Sequence, residues 1–193
     1  MIPGLDAESP TPKAYLGLGS NLANELGEPI DHLRYAVEQL KPLGEVRLSA
    51  LYASAPMGPA DQPEFLNAVA EISLSEPLTP EQLHDLTHDI ELARRRIKTR
   101  HWGERSLDID LLYMSGYTRS TARLNLPHAG ILERNFVWVP LLELAPDLRL
   151  GNTSQTLRDW ALIEHGYRAD SSASSSADQP TLNGLRQLEW TCS

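Results

Sequence analysis

Two aspartates one residue apart, in Leu107-Asp108-Ile109-Asp110-Leu111, carry the strongest chemical signal in the sequence. Side chains alternate faces along a strand, so Asp108 and Asp110 share one side while Leu107, Ile109 and Leu111 take the other. Two carboxylates held that close repel each other unless a cation lies between them. Hard oxygen donors with no nearby cysteine suit Mg²⁺ bound together with substrate phosphates. Taken alone, the pattern also fits a strand that turns its acids to water. The context is basic: Arg94, Arg95, Arg96, Lys98, Arg100 and Arg105 put six of the chain's 17 cations within twelve residues. Guanidinium groups clamp phosphate oxygens bidentately and offset charge that develops during transfer. Part of the run equally fits a solvated helix end, where the helix dipole favours cations, so Arg94 is read as structural and Arg96 and Arg105 as candidates for chemistry.

Strand parity adds Phe65 and Asn67, which point away from Leu66, Ala68 and Ala70 and so share the face of the two acids. A ring to stack and an amide that both donates and accepts can recognise a flat heterocycle with a mixed hydrogen-bonding edge. An edge aromatic beside a turn asparagine would give the same letters. Trp102 is either a second platform or a packing residue, and His128, in Leu126-Pro127-His128, either lines the site or caps a turn. Gly17-Leu18-Gly19-Ser20-Asn21-Leu22 begins like a dinucleotide fingerprint but lacks the third glycine, and no GxxxxGK[ST] is present.

These residues need a sheet to hold them. Residues 14–20 read as a first strand, and Pro29 opens a helix with Ile30, Leu33, Val37 and Leu40 on one face, ending at Lys41-Pro42-Leu43-Gly44. Val46, Leu48, Ala50 and Tyr52 share one parity in a second strand, and 66–74 form a third. Between those two strands lies a proline-rich loop, 54–63, of the kind that covers sites. Thr79-Pro80-Glu81-Gln82 is a capping box before a helix whose apolar stripe, Leu83, Leu86, Ile90 and Ile97, runs to the arginines. Residues 106–114 form the fourth strand, followed by weaker helical stretches at 136–144, interrupted by Pro140, and at 156–163. The order β-α-β-β-α-β predicts an α+β, ferredoxin-like antiparallel sheet with helices on one face and the other face free for function.

The chain has 193 residues, 41% hydrophobic and 22% charged, which fits one globular domain with appendages. Residues 1–12 read as a flexible lead, and five serines within 171–176 mark 168–193 as linker and tail. A net charge of −9 disfavours general affinity for nucleic acid or anionic membrane. Cys192, the single cysteine, permits no internal disulfide. With no secretory signal and no run of 18 apolar residues, a cytoplasmic protein is expected.

The chain resembles the 6-hydroxymethyl-7,8-dihydropterin pyrophosphokinase family of folate biosynthesis. The resemblance rests on Gly17–Leu22, Pro56-Met57-Gly58-Pro59, Asp61–Ala68, Trp102-Gly103-Glu104-Arg105-Ser106-Leu107-Asp108-Ile109-Asp110, and Pro127-His128 followed by Arg134-Asn135-Phe136, in family order over roughly residues 13–150. It implies a pyrophosphokinase domain at 13–167 that moves the β,γ-pyrophosphoryl group of ATP onto the pterin's hydroxymethyl oxygen and releases AMP. Asp108 and Asp110 would hold two Mg²⁺ ions. Arg96 and Arg105 would be the catalytic arginines. Ser54, Ala55, Met57, Phe65, Asn67, Trp102 and Phe136 would form the pterin site. Arg96, Lys98, Trp102, Arg105, Leu111, Arg123, His128 and Arg134 would contact ATP. The implied partners are these two small molecules, and a monomer is expected. The family's GlyArgXaaArg run appears here as Arg95-Arg96-Ile97-Lys98, losing the glycine and exchanging a forked cation for a point charge. His88 replaces a common glutamine, and Ala129 follows His128 where a larger side chain is usual. A pterin-binding paralogue impaired in transfer is the alternative. An RNA-binding module of the same strand order fits less well, because 65–71 offers one aromatic and an acid where RNA readers carry several aromatics.

Overall fold

The computed structural model describes residues 12–59, 61–96, 103–151, 153–167 and 184–190. In chain order these form β1 (Lys13–Ser20), α1 (Pro29–Leu40), β2 (Gly44–Leu48), β3 (Leu51–Ser54), β4 (Phe65–Leu74), α2 (Pro80–Ala93), β5 (Asp108–Met114), β6 (Arg119–Ser120), β7 (Asn125–Leu126), α3 (Asn135–Leu144), α4 (Leu157–His165) and β8 (Arg186–Leu188). The main sheet runs β5-β1-β4-β3-β8 with β2 also on β4, and every pairing is antiparallel. The ferredoxin-like α+β order is therefore present, with a sixth strand added at one edge.

Local chemistry starts the helices where expected. Pro29 opens α1, and Glu28 and Asp31 cap each other's backbone. Thr79 and Gln82 do the same for α2, with backbone-to-side-chain distances of 2.8 and 3.2 Å. The α2 stop differs from expectation, because the helix ends at Ala93 and not near Ile97. Arg95 takes φ 57°, its N–H donates to Leu92 O (2.9 Å), and the Arg96 N–H donates to Glu91 O (3.2 Å). That left-handed closure turns Arg96 back toward Glu91 and Asp108, and the ion pairs it makes there replace another turn of helix.

The second strand is also broken. Leu48 pairs with Ala70 and Tyr52 with Asn67, so four steps on one side match three on the other. The extra residue is a bulge at Ser49-Ala50, pinned by Ser49 N–H to Val69 O (3.0 Å) and Val69 N–H to Ser49 Oγ (2.9 Å). The single parity expected for Val46, Leu48, Ala50 and Tyr52 fails there: the first two pack toward α1 and α2, the last two toward the opposite face.

That opposite face is only partly free. Its far half is covered by α3 and α4, which bury Tyr15, Tyr52, Val69 and Leu112 together with Trp138, Leu141, Leu142 and Ala161. Helix α3 contains Pro140, which has no N–H to give the Phe136 carbonyl and so leaves that helical bond unmade. Residues 186–188, within the stretch expected as tail, join the sheet beside β3.

Candidate active site

What α3 and α4 leave uncovered is a cleft of about 360 Å³. Its floor comes from the residues of β1, β4 and β5 that point away from α1 and α2: Gly17 and Gly19, Phe65 and Asn67, Asp108, Asp110 and Leu112. The glycines keep the floor open. A Cβ on Gly17 would sit 3.4 Å from the Leu112 side chain, and one on Gly19 would sit 3.5 Å from Asn67 Oδ1 and 3.8 Å from Asp108 Cβ. Anything longer would fill the space a ligand needs. These glycines fail as a dinucleotide fingerprint and belong to the Gly17–Leu22 stretch of the family resemblance, which gave them no place in the site. The usable signal was their alternation with the buried Leu16 and Leu18.

One end of the cleft is aromatic and amide-lined. The chain's two phenylalanines, Phe65 and Phe136, both line it, with Ser54, Ala55 and Met57 alongside. Asn67, 6% exposed, donates from Nδ2 to Ser54 Oγ (2.8 Å), which locks its orientation and aims the rest of the amide at the cleft.

The other end is charged. Asp108 accepts from Arg96 Nη2 (2.6 Å) and from Arg105 Nη1, so both arginines rest on a carboxylate that substrate phosphates would replace and a cation would compete for. Burial works against the Arg96 charge, but Asp108 and Glu91 outweigh it and raise the guanidinium pKa. Among the described residues none makes an ion pair with Asp110. Burial, and then the neighbouring Asp108 charge, push its carboxyl above the ordinary range, while His128, Arg134 and Arg105 pull it partly back. His128 and Arg134 close this wall. Gly130 lets them meet, since a Cβ there would lie 2.9 Å from Arg134 Nε and 3.2 Å from His128 Cε1.

Two supporting residues escaped the sequence reading. Glu91, 3% exposed on the last turn of α2, accepts the Ile109 N–H at 2.7 Å and pairs with Arg96, so it ties the helix to the strand between the two aspartates. Burial raises its pKa, with Arg96 the main opposing influence. Asn21, 2% exposed, donates from Nδ2 to Gln62 Oε1 (3.3 Å) and Pro63 O (3.1 Å) and accepts the Arg105 N–H (2.9 Å). One side chain thus joins the end of β1, the proline-rich loop and the arginine loop. Arg94 is structural, as read: it donates to His32 Nδ1 (2.8 Å) and Leu26 O (2.6 Å) and lies over the Tyr35 ring.

Twelve of the expected site residues converge on the cleft: Ser54, Ala55, Met57, Phe65, Asn67, Arg96, Arg105, Asp108, Asp110, His128, Arg134 and Phe136. Two do not. Leu111 is 2% exposed in the core facing α1 and α2, and its neighbour Leu112 lines the cleft. The β-bulge opposite Tyr15 and Leu16 puts Leu112 and Tyr113 together on the α3 side, and Leu111 keeps the parity of Ile109. Arg123 sits in the turn between β6 and β7 and pairs with Asp85 of α2, away from the cleft lining. Lys98 and Trp102 lie outside the described residues.

Comparison with known proteins then decides the family. The family 7,8-dihydro-6-hydroxymethylpterin-pyrophosphokinase (HPPK) matches residues 15–146. A 2-amino-4-hydroxy-6-hydroxymethyldihydropteridine pyrophosphokinase of Pseudomonas aeruginosa is 43% identical over 141 residues, covering 72% of this chain and 83% of the relative. The chain belongs to the HPPK family. The Methylorubrum extorquens enzyme of the same name is likewise 43% identical, over 76% of this chain and 90% of its own length. Among solved structures, wild-type Plasmodium falciparum HPPK-DHPS with SDX-DHP superposes with a TM-score of 0.59 at 13% identity, over 84% of this chain and 47% of that one. At that identity the likeness speaks for the fold. This HPPK-family chain spans about half the length of the HPPK-DHPS chain it overlays, and most of the length of the two bacterial enzymes.

Proposed function

We propose that this chain transfers the β,γ-pyrophosphoryl group of ATP to the hydroxymethyl oxygen of 6-hydroxymethyl-7,8-dihydropterin, with release of AMP, in folate biosynthesis. The observation that carries the reading is that one cleft joins Phe65, Phe136, Asn67 and Ser54 at one end to Asp108, Asp110, Arg96 and Arg105 at the other. A flat heterocycle stacked at the first end directs its exocyclic alcohol at phosphates held at the second.

In this reading Phe65 and Phe136 sandwich the ring while Asn67, oriented by Ser54, reads its amide-like edge. His128 and Arg134 line the ATP side. Arg96 and Arg105 leave Asp108 for the phosphates and stabilise negative charge as it builds on the transferred group. The alcohol oxygen bonds to the β-phosphorus, the bond from that phosphorus to the α–β bridging oxygen breaks, AMP departs with that oxygen, and the alcohol proton passes to water. Most of the rate comes from holding the oxygen in line with the leaving group.

Asp108 and Asp110 fit Mg²⁺. They are two oxygen donors on one strand face, and the half-buried Asp110 has its ionisation opposed by desolvation and then by its neighbour, a penalty a cation offsets. Among the described residues no cluster of three or more His, Cys, Asp or Glu side chains gathers, so phosphates and water would complete the coordination, as Mg²⁺ prefers. When bound, such ions neutralise the triphosphate and lower the pKa of the attacking alcohol. The reading has a monomer acting in the cytoplasm on two small molecules, and among the described residues no helix is long and apolar enough to cross a membrane.

The test is AMP formation by purified protein given ATP, Mg²⁺ and the dihydropterin. AMP that requires the pterin is expected. Pterin binding without AMP would move the reading to an inactive paralogue, and oligonucleotide binding in its place would overturn it.

A further inference from the structure

The aromatic end of the cleft is bordered by β3, a strand of only four residues. Its inner edge pairs with β4, matching Tyr52 to Asn67, Ala53 to Leu66 and Ser54 to Phe65. Its outer edge would present unpaired backbone to water, and a four-residue strand held on one side is a weak support. That edge is taken by β8, with Leu51 opposite Leu188, Tyr52 opposite Gln187 and Ala53 opposite Arg186. Residues 184–190 lie beyond the 15–146 stretch that matches the family.

These residues are well anchored. Leu185 is 4% exposed in the core under α3, whereas Leu188 and Trp190 pack against the core on the α1 and α2 side. The segment therefore straddles the sheet edge. Trp190 Nε1 donates to Ser49 O (3.0 Å), gripping the bulge where β3 begins. Arg186 Nη2 meets Glu64 Oε2 at 2.9 Å, and Glu64 immediately precedes Phe65. The segment thus holds both ends of the proline-rich loop: the strand that leads into it through Ser54, and the acid that closes it.

We propose that residues 184–190 are a positioning strap for the pterin end of the cleft, setting Ser54, Ala55 and Met57 against Phe65 and Asn67. The inference rests on the pterin reading above and goes beyond it by giving the C-terminal segment a part in substrate affinity. Sheet order makes the role selective. β8 and β5 are opposite edges, four strand spacings or about 19 Å apart, and Asp108 and Asp110 are on β5. Loss of the strap loosens the pterin end and leaves the phosphate end in place.

The experiment compares the intact chain with a chain ending at Asn183, with Glu64→Arg, with Arg186→Glu, and with the charge-swapped double variant. For each, KM for ATP, KM for the dihydropterin, kcat, thermal midpoint and pterin affinity by equilibrium binding are measured. Shortening is expected to weaken pterin binding about tenfold, with KM for ATP changing less than about twofold. Each single reversal is expected to weaken pterin binding about threefold, within what an exposed ion pair and its inverted repulsion deliver, and the double variant to recover most of that. If the shortened chain does not fold, the charge swap carries the test alone. A lowered thermal midpoint with pterin affinity unchanged would reduce the segment to a structural cap and overturn the proposal. So would equal weakening of both substrates, or no recovery in the double variant. No AMP from the intact chain would remove the transfer reaction and not the strap, whose effect is read in pterin affinity. No pterin binding by the intact chain would remove both.

Discussion

The two faces of the sheet are built from the same strands and could hardly differ more. Toward α1 and α2, strands β1, β4 and β5 present Leu16, Leu18, Ala68, Ala70, Ile109 and Leu111, all at most 4% exposed. Toward the cleft, the residues between them are Gly17, Gly19, Phe65, Asn67, Asp108 and Asp110. Asp108 and Asp110 are flanked in sequence by Leu107, Ile109 and Leu111, all locked into a packed core. A slip of one residue in register would send the acids into hydrocarbon and the leucines into the cleft, so burial on one face fixes placement on the other. The helix side specifies position and the cleft side is released from packing demands, which is what allows it to hold glycine, an aligned amide and two neighbouring carboxylates.

The largest expected effect separates the faces at β5. Asp110→Ala should lower AMP formation by about a thousandfold, since it removes several kcal/mol of transition-state stabilisation through the lost ligand. Pterin affinity and thermal midpoint should stay near those of the unaltered chain. AMP production within a few-fold of normal would end the assignment of Asp110 as a ligand. On the other face, Leu16→Ala should cost about 2–5 kcal/mol of unfolding free energy, because Leu16 is 0% exposed and the cavity left behind has no partner atoms. Its KM values, measured on folded protein, should hold. Should Leu16→Ala shift KM strongly while sparing stability, the division of labour between the faces would be wrong.

A smaller effect tests the cleft from within. Phe65→Ala should weaken pterin binding about tenfold, the magnitude of a lost stacking contact plus its area, while leaving ATP affinity nearly unchanged. Equal losses for both ligands would place the ring elsewhere. With the strap variants, this locates the pterin end from two independent sides.

Much of this was legible before any coordinates, and the exceptions have physical causes. Alternation showed the four core strands, and capping chemistry marked Pro29 and Thr79 as helix starts. The acids, the arginines and Phe65 with Asn67 emerged from parity and charge. What escaped was whatever depends on an inserted residue or a distant partner. The bulge at Ser49-Ala50 flips the face of Ala50 and Tyr52 without altering composition. Parity alone placed Leu111 against the helices; it was the family resemblance that put it at ATP, and its side chain is in the core. Arg123 too was put at ATP by the resemblance, and Asp85 of α2 claims its charge. The Glu91, Asn21 and β8 contacts join residues 18, 41 and more than 100 positions apart, which no local pattern records.

The smallest predicted effect concerns the corner where the two faces meet. Arg95 occupies the left-handed position of the α2 closure, φ 57°, where an L side chain is strained and where the family pattern places glycine. Its guanidinium pairs with Glu25 at 2.6 Å, but both groups are more than half exposed, so the pair returns little of that strain. Arg95→Gly should therefore raise unfolding free energy by about 1 kcal/mol, partly offset by the greater freedom of glycine in the unfolded chain. The Arg96 ion pairs to Glu91 and Asp108 depend on the turn and not on the side chain at 95, so kcat and both KM values should be unchanged. A loss of stability on introducing glycine would mean that the Glu25 contact outweighs the backbone. A change in kcat would mean that the arginine itself reaches the phosphates, and the boundary between scaffold and chemistry at the end of α2 would have to move by one residue.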